Sequence, residues 1–221
     1  MKLKYKCLIL DHDDTAVKST PEIHYPSFLA SMKVLRPDAE LTIEDFTNYC
    51  FNPGFMELCK DILKYSTEEQ EYQYKIWREY TTSKIPDFYE GFIEILEEFR
   101  KLGGIITVVS HSEKDQIERH YSCKSSITPD LILGWELEES KRKPSTYPVK
   151  VIMDTFDLKE SEVLVVDDLK PGMDMANNSN VTFACAGWSH QVKDIEQFMK
   201  EKADVYFSSV EDFRKYLFES F

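Results

Sequence analysis

Cys7-Leu8-Ile9-Leu10-Asp11-His12-Asp13-Asp14-Thr15 is the stretch on which the fold turns, four apolar residues running straight into acids. The run shows no polar alternation, so a strand made from it is covered on both faces, as in a parallel sheet between helices. Similar runs recur at 105–109, 131–133 and 163–166, each bounded by Asp, Gly or Ser, with weaker candidates at 182–186 and 204–207.

Helical patterns separate these runs. Phe88, Phe92, Ile95, Leu96 and Phe99 recur every three or four residues and stop at Gly103-Gly104, a natural helix end. Ser112-Glu113-Lys114-Asp115 is expected to cap the next helix, and further helical patterns cover 147–156, 192–199 and 210–218. This β-α repetition predicts a doubly wound α/β core with a parallel sheet. Residues 18–87 break the rhythm, with aromatic-rich helical pattern (Phe28, Met32, Leu35; Leu58, Ile62, Leu63; Tyr72, Ile76, Tyr80) and no strand. They are expected to form an inserted helical domain, leaving 1–17 and 88–221 for the core.

The 221 residues allow one large domain or one domain with an insert, and 42% hydrophobic content supplies a core, which excludes a disordered chain. A net charge of −13 opposes binding to nucleic acid and to anionic membranes, so an anionic substrate needs a locally positive pocket. Five cysteines form an odd set without C-x-x-C, and the apolar run of the first ten residues is too short for a signal-peptide core. Both point to the cytoplasm. The five histidines form no zinc motif, and neither a G-x-G-x-x-G nor a Walker motif occurs. A monomer or small homo-oligomer is expected.

Ligands of open α/β sheets bind beyond the carboxyl ends of the strands. Those ends carry Asp11 and Asp13, then Ser110-His111-Ser112, then Asp167-Asp168, while Lys143-Pro144 lies in the basic run Lys141-Arg142-Lys143. Several carboxylates in one crevice repel one another unless a cation joins them, and magnesium suits such hard oxygen ligands.

In this order the four pieces resemble the haloacid dehalogenase superfamily, phosphoglycolate phosphatases and β-phosphoglucomutases especially. The family's D-x-D-x-T motif after an apolar strand is matched by Leu8 to Thr15, and its strand ending in Ser or Thr by Ile106 to Ser110. Its lysine is matched by Lys143 and its acidic pair by Asp167-Asp168, with Gly172 and Ala176 in the helix that follows. The resemblance spans residues 6 to 210, and the 18–87 insert sits where the family carries its helical type-1 cap. Asp14 stands where many relatives have Gly, and His111 departs from a common Asn-containing version.

The resemblance implies a magnesium-dependent phosphatase acting on a small phosphorylated metabolite. Asp11 is the implied nucleophile, forming an aspartyl-phosphate, and Asp13 is the acid and then the base, a role that calls for a raised pKa. Asp168, the Asp11 carboxylate and the Asp13 backbone carbonyl are the implied magnesium ligands. Asp167 either ligates, acts through water or orients Lys143. Lys143, the Ser110 hydroxyl and the His111 backbone N–H are the implied phosphate contacts. His24, Phe51, Asn52 and Phe55 are candidate pocket residues of the insert. A phosphomutase, which shares every motif residue, and a non-catalytic binding protein of the same fold are the alternatives. Asp13 argues against dehalogenation, and phosphonate cleavage would call for a cap lysine.

Overall fold

A computed structural model describes residues 3–190 and 192–218. Six strands form one sheet: β1 (Cys7–Leu10), β2 (Ile105–Val109), β3 (Leu131–Leu133), β4 (Val163–Asp167), β5 (Thr182–Ala186) and β6 (Val205–Phe207). Their order is β3-β2-β1-β4-β5-β6, and every pairing is parallel. The order reverses direction beside β1, where Leu10 lies between Val108 and Val166. A crevice opens at such a reversal, because the connections leave the two neighbouring strands toward opposite faces.

The insertion carries α1 (Tyr25–Leu35), α2 (Ile43–Phe51), α3 (Phe55–Glu57) and α4 (Thr67–Ser83). The sheet is flanked by α5 (Phe92–Lys101), α6 (Lys114–Lys124), α7 (Tyr147–Phe156), α8 (Lys170–Asn178), α9 (Lys193–Lys202) and α10 (Val210–Phe218). Leu8 and Leu10 of β1 join one core with Ile106, Val108, Phe92, Phe99, Ile117 and Phe213. Cys7 and Ile9 point the other way, into a core with Val165, Phe183, Val149, Ile152 and Ile195. Each of these large aliphatic and aromatic side chains contributes about 1.5–3 kcal/mol of burial energy, and two such layers explain why β1 is apolar at every position.

The insertion has its own small core, in which Phe28, Met32, Phe46, Leu58, Cys59 and Tyr65 are buried. Thr42 with Asp45, and Ser66 with Glu69, form reciprocal capping boxes that start α2 and α4. Two expectations are corrected here. Phe88 is not helical, because it pairs in an antiparallel bridge with Val17, and the helix begins only after Gly91, whose φ of +80° suits glycine. Ile62, expected on the buried face, is exposed.

The two crossings between insertion and core run side by side. Lys18 N–H donates to Asp87 O, and Tyr89 N–H donates to Ala16 O. The second crossing is tied to α6, where Arg119 donates to the carbonyls of Thr81, Thr82 and Lys84, and Lys124 pairs with Asp87. Among the described residues no helix is long and apolar enough to cross a membrane.

Candidate active site

The backbone at the end of β1 sets the first acid. Asp11 N–H still donates to Val166 O, continuing the ladder toward β4, so the Asp11 side chain emerges beside Asp167 and Asp168. Ligand oxygens of Asp11, Asp167 and Asp168 lie within 4.8 Å of one another, and all three residues are buried. Lys143 Nζ donates to Asp11 Oδ1 at 2.7 Å and to Asp167 Oδ2 at 2.6 Å. Burial works against the lysine charge, but the two carboxylates outweigh it and hold the ammonium well above the ordinary lysine range.

With three carboxyls against one ammonium in a dry crevice, full ionisation would leave two negative charges unbalanced. Burial and the Asp11 charge push Asp167 up to about 6, against the pull of Lys143. Burial and the charges of Asp167 and Asp11 push Asp168 well above the carboxylate range. A divalent cation on oxygen ligands balances this group, and magnesium fits the donor set. Asp167 gives Oδ2 to Lys143 and Oδ1 to Leu169 N–H, which leaves Asp11 and Asp168 the freer ligands. Gly172 is required beside them, because a Cβ there would lie 2.1 Å from Asp167 Oδ2. Asp14 has φ of +59°, a left-handed position that favours Gly, Asn or Asp, so its departure from glycine is physically conservative.

Ser110 directly follows β2 and is buried. Its hydroxyl oxygen accepts from Ser112 N–H at 3.1 Å and lies 3.5 Å from Asp13 Oδ2. His111 turns its ring outward, where Nε2 donates to Lys143 O at 3.2 Å and the ring meets the Trp135 edge.

Asp13 is the residue that sequence reasoning described least well. Its Oδ2 accepts the Ser112 hydroxyl, and His24 Nε2 of the insertion lies 3.2 Å from its Oδ1. Burial favours the neutral acid, but the His24 and Ser112 donors prevail, so its pKa is well below the carboxylate range rather than raised. Ser112, expected to cap α6, therefore serves Asp13 instead, and α6 starts at Lys114, after Glu113, without a side-chain cap. Trp77 N–H donates to His24 Nδ1 at 3.0 Å.

Of the other insert candidates, Phe51 packs edge-on against Phe198 of α9, which makes it a contact between insertion and core. Asn52 is exposed. Phe55, partly buried, packs on the insertion's own core, against Phe28 and Phe46. Behind the site, His12 Nε2 and His120 Nδ1 share a 2.9 Å hydrogen bond, both buried. No spacing rule links these two, since 108 residues separate them.

A family model described as haloacid dehalogenase-like hydrolase matches residues 8–186. No curated protein sequence matches the chain significantly. Among solved structures, a predicted phosphoglycolate phosphatase from Haemophilus somnus superposes with a TM-score of 0.79 at 19% identity, covering 96% of this chain and 98% of its own. A haloacid dehalogenase-like family hydrolase from Streptococcus pneumoniae gives 0.74 at 16%, covering 96% and 98%. CbbY from Rhodobacter sphaeroides, in complex with phosphate, gives 0.70 at 14%, covering 93% and 94%. At such identities the likeness establishes the fold.

Proposed function

Because the chain belongs to the haloacid dehalogenase-like hydrolases, we propose that it is a magnesium-dependent, cytoplasmic phosphatase that hydrolyses a small phosphorylated metabolite through an aspartyl-phosphate on Asp11. The observation that carries this reading is the Lys143 bridge between Asp11 and Asp167, with Asp168 in the same buried group. A nucleophile, a fixed cation and metal-holding carboxylates then share one dry crevice, where charge stabilisation is far stronger than in water. The phosphate complex of the Rhodobacter relative agrees with a phosphoryl site on this fold.

In the proposed reaction an Asp11 carboxylate oxygen attacks phosphorus and the bond to the alcohol oxygen breaks. The leaving oxygen takes a proton from Asp13. Asp13, then ionised, removes a proton from water, which attacks the aspartyl-phosphate and frees Asp11 and inorganic phosphate. The carboxylate form of Asp13, held by His24 and Ser112, is the form needed for this second half. For the first half, a leaving group that displaces His24 removes one donor and allows Asp13 to hold its proton. Residues 18–87 act as the cap that carries His24 to and from the core.

The Asp11 and Asp168 carboxylates and the Asp13 backbone carbonyl are the residues assigned to magnesium, which when bound offsets charge on the phosphoryl oxygens. Ser110 and the His111 N–H are assigned to those same oxygens. The test is phosphate release from a panel of phosphomonoesters, with and without a chelator, together with mass spectrometry of acid-quenched enzyme. Label on Asp11 and full dependence on added magnesium are expected. Label on another residue, or undiminished turnover after chelation, would overturn the assignment.

A further inference from the structure

Ser110 and Lys143, the two side chains assigned to the phosphoryl oxygens, are placed by different means. Ser110 follows β2, and its N–H still donates to Leu133 O at 3.1 Å, so the sheet sets its position. Lys143 lies in the connection 134–146 between β3 and α7, where no strand fixes it. Its ammonium is anchored by Asp11 and Asp167. Asp11 is the proposed nucleophile, so that anchor changes once the Asp11 oxygen is bonded to phosphorus, and the Lys143 backbone needs a separate hold.

A circuit of contacts supplies it. His111 Nε2 lies 3.2 Å from Lys143 O, and because a carbonyl only accepts, Nε2 carries the proton and donates. The His111 ring meets the Trp135 ring edge-on, with centres 6.1 Å apart and planes at 84°. Arg142, the residue before Lys143, lays its guanidinium 3.7 Å from the centre of the same indole, while its Nε donates to Leu137 O at 2.8 Å. The backbone closes the circuit: Trp135 N–H donates to Ser112 O at 2.9 Å, and Ser112 N–H donates to Ser110 Oγ at 3.1 Å. Trp135 is 44% exposed, so these contacts hold the indole more than burial does.

We propose that the His111 side chain and Trp135 are positioning residues for Lys143, bracing its backbone against the loop after Ser110 and so fixing the spacing of the hydroxyl and ammonium that meet the phosphoryl group. The inference rests on the phosphatase reading above. Both rings act through Lys143, a role separate from that of the His111 N–H. Stabilisation by a fixed cation depends steeply on where the cation sits, and a misplacement of about 1 Å can cost about a hundredfold in rate.

His111→Leu, His111→Gln and Trp135→Leu test this on p-nitrophenyl phosphate, phenyl phosphate and the panel of phosphomonoesters above. His111→Leu removes the donor and should lower kcat/KM by about tenfold to a hundredfold, with the thermal midpoint within about 3 °C of the parent. The factor should be the same for good and poor leaving groups, because the phosphoryl charge is common to all of them. His111→Gln, whose amide nitrogen reaches the place of Nε2, should recover most of the loss. Trp135→Leu leaves the donor but removes its support, so it should show a smaller loss, equally uniform, and it carries the test should His111→Leu fail to fold. Parental kinetics in the Leu variants, a Gln variant as impaired as His111→Leu, or losses that depend on the leaving group overturn the brace and leave the phosphatase reading standing. No phosphate release by the parent from any of these compounds removes that reading, and the brace with it.

Discussion

Trp77 donates its indole N–H to His24 Nδ1 at 3.0 Å, and this bond decides which ring nitrogen faces Asp13. With Nδ1 turned to the indole, Nε2 is the nitrogen that offers its proton to Asp13, 3.2 Å from Oδ1. Two residues of the insertion, 53 positions apart, therefore fix the ring that faces an acid in the core.

Trp77→Phe keeps an aromatic ring but removes that donor, so His24 is free to adopt the other tautomer. We expect kcat to fall about tenfold with poor leaving groups and much less with good ones, because only the former need the Asp13 proton. Steady-state kinetics over a series of leaving-group pKa values measures this. Equal losses across the series would show that Trp77 acts through packing alone.

Gly172→Ala places a methyl against Asp167 Oδ2, where the available separation is 2.1 Å. Asp167 must move, and with it one of the two anchors of Lys143. The expected cost is about 1–3 kcal/mol of stability, typical of overpacking, with a larger proportional loss of kcat. Denaturant melts and steady-state kinetics on the same preparation separate the two effects.

Arg119→Met removes the donor that holds the carbonyls of Thr81, Thr82 and Lys84 on α6. Amide exchange should then rise in residues 81–88 and stay unchanged in β1 and β4, since those strands are paired on both sides within the sheet. Hydrogen-exchange mass spectrometry reads this directly, and protection retained at 81–88 would contradict a tie through Arg119.

His120 provides a pH test. Burial and the adjoining His12 bring its pKa down to about 3, against about 6.5 for an exposed histidine. Between those values the unfolded chain takes up a proton that the folded chain refuses, so stability falls as pH falls below about 6.5. The drop in Tm from pH 7 to pH 5 should be smaller in His120→Gln than in the parent by about 3 °C. Parallel curves would mean that the pair does not titrate with unfolding.

Local chemistry was enough to read the sheet from sequence. Cys7 to Leu10 is apolar at every position because cores lie on both sides of it, and that pattern needs no knowledge of the partner strands. The same holds for the acids and the serine that leave the strand ends, since the carboxyl ends of parallel strands all open on one side of the sheet. Asp11, Ser110, Asp167 and Asp168 are accordingly brought to one end of the sheet, and Lys143 joins them from the connection that follows β3.

Only tertiary contact decided the rest. Ser112 reads as a helix cap because capping is a local preference, yet a carboxylate 99 residues away in the chain competes for its hydroxyl and wins. Phe55 reads as a loop aromatic near a pocket, and its ring goes to the insertion's core because Phe28 and Phe46 lie within reach. The ionisation of Asp13 depends on His24, which lies just before α1 and is bonded by Trp77 of α4 because those two helices pack against each other. Side-chain type and spacing record what a residue can do, whereas the choice of partner and of protonation state depends on distances that exist only in the folded chain.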